Sequence, residues 1–466
     1  MTVVLQSSAA AATPIELTDT ASWREHLNAL PAPTQHWMNA LGFRGAPDTF
    51  ALVPDGQGLL GQVWAGVRST SSPYALGALP RTLPPGRYTL GHQGLAADEY
   101  AAALSWELGT YVFDAYKRSA REAATLVLPI SSASQRGLLE ATTIAAVRDL
   151  INTPAEHLGP AELAQAVRTA AQAHGARFTQ VVGDELLKKN FPAIHAVGRA
   201  AARAPRLIEL NWGNPRHPRL TLVGKGVCFD SGGLDLKPAD AMRWMKKDMG
   251  GAANALGLAC LVMALKLPVR LQLLIAAVEN AVSGNAFRPG DVIRTRQGLH
   301  IEIGNTDAEG RVILCDALAY GAEHKPDLMI DMATLTGAAR VALGPQLPAL
   351  FVRDNAWGRE LMDLGVSVED PVWQLPLWRG YHPMIESDIA DIVNTGKGPM
   401  AGAITAALFL DDFVPASVPW LHLDMFAWND VSRPGRPVGG EAQTVRLLLR
   451  WLEQRYAASA SRSARR

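Results

Sequence analysis

The stretch from Leu222 to Arg311 constrains this chain most. It holds two clusters, Gly224-Lys225-Gly226-Val227-Cys228-Phe229-Asp230-Ser231-Gly232-Gly233 and Asn305-Thr306-Asp307-Ala308-Glu309-Gly310-Arg311. Between them lie Leu236-Lys237-Pro238 and Met245-Lys246-Lys247-Asp248-Met249-Gly250-Gly251. Carboxylates, lysines and an arginine recur there among glycines and apolar residues, where an ordinary core carries no charge. Any fold of this chain has to bury these charges and satisfy them together. The stretch therefore reads as a metal-dependent active site, and the rest of the chain as its scaffold.

Strands are expected at 177–182, 207–212, 220–223, 270–278 and 328–330, alternating with helices at 161–174, 184–201, 249–265 and 309–323. Leu220–Val223 and Leu271–Val278 lack polar alternation, as strands covered on both faces do. This pattern predicts a larger three-layer α/β/α catalytic domain with a mixed central sheet over residues 156–466. At 466 residues, 48% of them hydrophobic, the chain is too long for one core. A small N-terminal α/β domain is expected over 1–133, joined by a connecting helix and linker over 134–155. In the first domain a hairpin turns at Pro54-Asp55-Gly56, since Asp-Gly supplies the positive φ of a tight turn. A helix over 98–117 and a strand over 125–128 follow it. Residues 1–14 and 457–466 are expected to lack fixed structure.

A formal net charge of +0 argues against nucleic acid or an anionic membrane as partner. The longest apolar runs, such as 252–265, are too short and Gly-interrupted to span a bilayer. Residues 1–14 carry neither a basic n-region nor a sustained apolar run, so no signal peptide is expected. The three cysteines, Cys228, Cys260 and Cys315, form no Cys-x-x-Cys pair. Reduced thiols in the cytoplasm follow from that.

Lys225 and Asp230 are expected just past the end of the strand at 220–223, where open α/β sheets bind ligands. Asp248 immediately precedes a helix; Asp307, Glu309 and Arg311 share parity at the start of another. Four carboxylates in one apolar pocket repel, and some take up protons unless cations compensate them. Two divalent ions balance four negative charges, and paired ions are a standard device for activating water. The residues thus point to a two-metal hydrolytic site, with oxygen-rich ligation suiting Zn²⁺, Mn²⁺ or Mg²⁺. Spacing leaves peptide and phosphate ester both open as substrates.

Taken singly, these residues have blander explanations. Asp307 and Glu309 complement a helix dipole, and the glycine pairs make turns. Gly224-Lys225-Gly226 fails the phosphate-loop pattern, and neither His-Glu-x-x-His nor Gly-x-Ser-x-Gly occurs. His422 and Asp424 alternate with apolar residues and read as sheet positions. Cys228, with no histidine nearby in sequence, reads as packing.

The constellation resembles the leucine aminopeptidase (cytosol aminopeptidase) family. Asn305-Thr306-Asp307-Ala308-Glu309-Gly310-Arg311 is identical to that family's signature. The clusters at 224–233, 236–238 and 247–253 match it in the same order, as do Asp331-Met332-Ala333-Thr334-Leu335-Thr336-Gly337-Ala338, Asp391-Ile392-Val393-Asn394 and Ala401-Gly402-Ala403. The resemblance covers residues 150 to about 450.

It implies a two-metal exopeptidase that removes N-terminal residues, Leu and other apolar ones preferred, from peptides with a free N-terminus. The metal ligands would be Lys225, Asp230, Asp248, Asp307 and Glu309, with Asp230 and Glu309 bridging and Asp307 adding its carbonyl. Lys225 would have to be neutral, its pKa pulled down by adjacent dications. Lys237 and Arg311 would be the catalytic pair, Lys237 stabilising the oxyanion and Arg311 anchoring a bicarbonate that relays a proton. The α-amine would bind one metal, and Met245, Asn305, Thr334, Gly337 and Ala338 would contact the substrate. The resemblance also implies a homohexamer with active sites facing an inner cavity. Some relatives bind DNA, which supplies an alternative role. Two departures stand out: Cys228 replaces a small hydroxyl residue, and Gly439-Gly440-Glu441-Ala442-Gln443 differs from the usual Gly-Ala-Thr-Gly. The second leaves residue preference open.

Overall fold

The computed structural model describes residues 2–6, 12–118 and 121–463, with side chains to Tyr456. They form two compact units, Met1–Ala146 with Asn429–Val438, and Val147–Trp428 with Gly439–Arg466. The division falls inside the helix Ser132–Asn152, the segment expected as a connector.

In the first unit the strands are β1 (Val3–Leu5), β2 (Thr13–Thr18), β3 (Phe50–Pro54), β4 (Leu60–Gly66), β5 (Arg87–Leu90) and β6 (Thr125–Leu128). They pair in the order β1-β6-β5-β2-β4-β3. β3 and β4 form the expected antiparallel hairpin; the other pairs are parallel. Ile15, Val63, Tyr88, Trp106 and Leu126 fill its core. Two expectations need correcting here. Val3–Leu5 is not frayed but pairs with β6, while residues 7–11 lie outside the described residues. The helix expected over 98–117 spans only Glu99–Thr110, capped by Asp98 through Ala101 N.

In the second unit the strands are β7 (Arg177–Val182), β8 (Arg206–Trp212), β9 (Arg219–Asp230), β10 (Arg270–Asn280), β11 (Val292–Arg294), β12 (His300–Glu302), β13 (Leu328–Ala333), β14 (Ala349–Val352), β15 (Trp373–Gln374), β16 (Ile392–Val393) and β17 (Trp420–Asp424). Eight of them form one sheet in the order β15-β14-β17-β13-β9-β10-β8-β7. Its centre, β17-β13-β9-β10, is parallel, and antiparallel pairs flank it, so the sheet is mixed. Pro160–His174, Gly250–Ala264 and Val445–Ser463 pack on one face; Pro192–Gly198, Glu309–Glu323 and Gly402–Asp411 pack on the other. This is the expected three-layer arrangement. Every residue of β13 is buried, as a strand with helices on both sides requires.

Three local expectations are corrected. The helix over 184–201 is two short ones, Glu185–Lys188 and Pro192–Gly198, because Pro192 cannot continue a helix and Asn190 takes a positive φ of 60°. The C-terminal helix runs through Ser463, so the tail from 457 is not unstructured over that span; 464–466 lie outside the described residues. Most consequential, β9 does not stop at Val223 but continues to Asp230. Gly224 permits this close packing: a Cβ there would sit 2.6 Å from Ala252 Cα on the covering helix. Near its end β9 slips by one against β10. Val227 faces Val278 and Phe229 faces Glu279, leaving Cys228 as an extra, bulged residue.

Candidate active site

The bulge decides where the first charges point. Lys225 is opposite Ala276 and Asp230 is opposite Asn280, an even separation on β10, so both side chains leave β9 on one face. Lys225 and Asp230 are therefore within the strand rather than past its end. The 3-10 turn Met245–Met249 brings Asp248, and the turn Thr306–Ala308 running into Glu309–Glu323 brings Asp307 and Glu309. Asn305 caps that turn, accepting from Asp307 N at 2.7 Å.

All seven expected metal and catalytic residues converge at one end of the sheet. Lys225 Nζ lies 2.8 Å from Asp248 Oδ2 and 2.9 Å from Glu309 Oε1, and donates to Thr334 O at 2.8 Å. Lys237 Nζ lies 2.9 Å from Asp230 Oδ2 and 2.5 Å from Asp307 Oδ1. Oxygens of Asp230, Asp307 and Glu309 lie within 4.8 Å of one another. Arg311 is buried and donates from Nη1 to Asn394 O at 2.9 Å. Gly310 lets Lys225 reach the cluster, since a Cβ there would lie 2.7 Å from Lys225 Cε and Nζ.

These groups perturb one another. Burial, then Asp230, pushes the Glu309 carboxyl up to about 8 and that of Asp307 to about 6. Burial works to lower the Lys225 pKa, but Asp248, Glu309 and Asp230 outweigh it and raise the value. Lys225 is thus held protonated by three carboxylates, the reverse of the state expected of a ligand. Lys237 is raised in the same way, by Asp230 and Asp307 against burial. Burial lowers Arg311 to about 10 and Lys247 to about 8.

The residues fit divalent cations. Both Glu309 oxygens, Asp248 Oδ2 and Asp307 Oδ1 are buried without a donor in hydrogen-bonding geometry, although lysine ammonium groups stand beside three of them. Such orphaned carboxylate oxygens are costly unless a cation takes them. Lys225 and Lys237 here carry part of the positive charge that cations would bring.

A cavity of about 220 Å³ opens onto the cluster, lined by Lys225, Asp230, Lys237, Asp248 and Asp307 on one side. Met245, Thr334, Gly337, Met425, Phe426 and Arg340 line the other. Among the expected substrate contacts, Met245, Thr334 and Gly337 are on its wall. Asn305 and Ala338 are not; Ala338 packs against the apolar cluster of Ala339, Ala349 and Phe351. Sequence reasoning missed Asn280, whose Nδ2 ties Asp230 Oδ1 at 2.9 Å to Thr306 O at 3.0 Å. A polar residue closing the apolar run of β10 was its only signal. It also gave no role to Phe426, flanked by Lys247 and Arg340. His422 and Asp424 hold the sheet positions expected of them, His422 bonding Asp331 and Asp424 accepting from Leu335 N and Thr336 N, but Asp424 also lines the cavity. Cys228 is buried, again as expected.

An α/β/α domain gathering carboxylates and lysines around cation-seeking oxygens fits a class, the metal-dependent hydrolases. The chain belongs to the cytosol aminopeptidase family: residues 145–449 match the catalytic domain of that family, and residues 13–129 match the M17 aminopeptidase N-terminal domain. It is 42% identical over 364 residues to a probable cytosol aminopeptidase of Roseiflexus castenholzii, covering 74% of each chain. The crystal structure of a cytosol aminopeptidase from Coxiella burnetii superposes with a TM-score of 0.93 at 47% identity, covering 97% of this chain and 99% of that one. The bottromycin maturation enzyme BotP, solved in complex with Mn, superposes at 0.85 with 33% identity, covering 96% and 99%. The activity is that of an aminopeptidase, a peptidase hydrolase. None of these relatives is named for DNA binding. Among the described residues no helix is long and apolar enough to cross a membrane.

Proposed function

We propose that this chain removes the N-terminal residue from peptides with a free N-terminus, using two divalent ions, Zn²⁺ or Mn²⁺ and in their place Mg²⁺. Lys225, Asp230, Asp248, Asp307 and Glu309 would hold them. The observation that carries this is the pair of buried Glu309 oxygens, neither in hydrogen-bonding geometry with a donor, beside Asp230 and Asp307. When bound, such ions supply Lewis acidity and acidify water. Lys225 would serve as a ligand in its neutral form, which the positive potential of neighbouring dications would favour.

Lys237 keeps its proton. Its ammonium, steadied between Asp230 and Asp307, is placed to donate to the oxyanion that develops on the scissile carbonyl. Arg311 keeps its charge at neutral pH, and its Nε has no partner. That suits it to hold a bicarbonate, a proton carrier. The apolar wall of Met245, Met425 and Phe426 supports an N-terminal side chain with apolar character, such as Leu. Exposed Trp373 and Trp378 favour self-association, in keeping with a homohexamer. Three unbridged cysteines favour the cytoplasm. Chelation should abolish hydrolysis of leucyl amides, and Zn²⁺ or Mn²⁺ should restore it; full activity in metal-free enzyme would overturn the proposal.

A further inference from the structure

Arg340 stands on the wall of the catalytic cavity with its charge unspent. It follows Gly337 by three residues on the helix Gly337–Leu343, and its neighbours on the wall include Met245, Leu347, Met425 and Phe426. Its guanidinium carbon lies 4.7 Å from the centroid of the Phe426 ring, which Lys247 Nζ approaches at 5.2 Å. Among the described residues no hydrogen bond or ion pair holds that guanidinium. No carboxylate of the cavity pairs with Arg340. Asp230 and Asp307 face Lys237, Asp248 faces Lys225, and Asp424 accepts from Leu335 N, Thr336 N and Thr336 Oγ1. The guanidinium sits over the ring in a cation–π contact, and its unclaimed N–H groups match the fork of a carboxylate.

We propose that Arg340 widens the range of this apolar pocket, so that beside apolar N-terminal residues it also accepts one with an acidic side chain and prefers Glu to Gln. Met245, Leu347, Met425 and Phe426 take the aliphatic stem, and the Arg340 fork takes the carboxylate. Glutamate, with a two-methylene stem, suits this division of the wall better than aspartate. The inference rests on the aminopeptidase assignment of this cavity.

The test is steady-state kinetics of the metal-loaded enzyme on aminomethylcoumarin amides of Glu, Gln and Leu. A charge-assisted bidentate contact predicts kcat/KM for Glu over Gln of on the order of tenfold or more in the wild type. That ratio should collapse towards one in R340M, and R340E should turn the preference from Glu to Lys. Bound metal is quantified in each variant so that a loading defect is not mistaken for lost selectivity. A Glu:Gln ratio unchanged in R340M overturns the proposal. So does an R340M enzyme that loses Leu-Gly relative to Leu-Gly amide with the Glu:Gln ratio intact, because Arg340 would then act on the C-terminal carboxylate. A metal-loaded wild type that cleaves none of the three amides overturns the aminopeptidase assignment beneath it, a result distinct from altered selectivity.

Discussion

Lys225 and Asp230 are five residues apart on one strand yet leave it on the same face, because Cys228 is bulged out of register between them. A regular strand would send residues of odd spacing to opposite faces. Deleting Cys228 should leave a regular ladder in which Asp230, now an even four residues past Lys225, still faces Asn280 and leaves β9 on the same face. Metal content per chain, read by mass spectrometry on protein with native circular dichroism, should therefore be retained. Cys228→Ala keeps the extra residue and should cost only about 1–2 kcal/mol of stability, with metal retained. A deletion variant that folds but loses its metal would show that the bulge does more than absorb one extra residue.

Gly310 has a different task. A methyl group there would meet the Lys225 side chain at 2.7 Å. The end of a lysine yields more easily than backbone, so Gly310→Ala should fold and melt close to the parent. Displacing Lys225 should nonetheless weaken metal binding by roughly tenfold or more, in the range seen when the support of a ligand is lost. Titration with Zn²⁺ against a competing chelator measures it. Equal affinities would remove Lys225 from the ligand set.

Lys237 and Arg311 should separate from the ligands kinetically. Lys237→Met removes one charge from the oxyanion side and should lower kcat by about 10²–10³-fold, the scale of a lost oxyanion donor. Arg311→Ala should lower kcat as well, with added bicarbonate giving the parent more benefit than the variant. Both variants should retain their metal. Turnover unchanged in both would strip the pair of its catalytic role.

His422 supplies a pH dependence of stability. Its Nδ1 lies 2.6 Å from Asp331 Oδ1. Burial works to lower the His422 pKa, but Asp331 outweighs it and raises the value above 6.5. The folded state therefore binds a proton that the unfolded state releases above about 6.5, and stability must fall as pH rises. This contribution is full below that value and is lost as pH passes through the folded pKa. Urea unfolding at a series of pH values should show the decline in the parent and a flatter profile in Asp331→Asn. The same slope in both would exclude the pair as its source.

Asp316 is held chiefly by backbone, Oδ1 accepting from Arg296 N at 2.7 Å and Oδ2 from Ala193 N at 2.8 Å, with Cys315 Sγ 3.9 Å from Oδ1. Burial pushes its carboxyl up to about 7 against these donors. Asp316→Asn sets an amide N–H₂ against a backbone N–H and should cost about 1–3 kcal/mol. Thermal melting at pH 8 checks this; an unshifted midpoint would mean that one oxygen suffices.

The sequence by itself determined the class of fold and the members of the site. Helix–strand alternation and unbroken apolar strands such as Leu271–Val278 are local signals, and they were enough for a three-layer domain with its charges at one end. The residue types at 225, 230, 237, 248, 307, 309 and 311 were legible because so many charges among glycines and apolar residues have no structural explanation as a group, whatever explains each singly. What tertiary structure alone decided is direction. Gly224 and Lys225 broke the apolar run and hid the second half of β9, which exists because β10 pairs with it along its length. The bulge at Cys228 is a register shift between two strands, so no property of either strand alone announces it. Asn280 reaches Asp230, and Phe426 meets Lys247 and Arg340, only after strands and turns far apart in sequence are packed together. Composition and spacing select the groups; where each side chain points depends on pairing partners that local sequence does not contain.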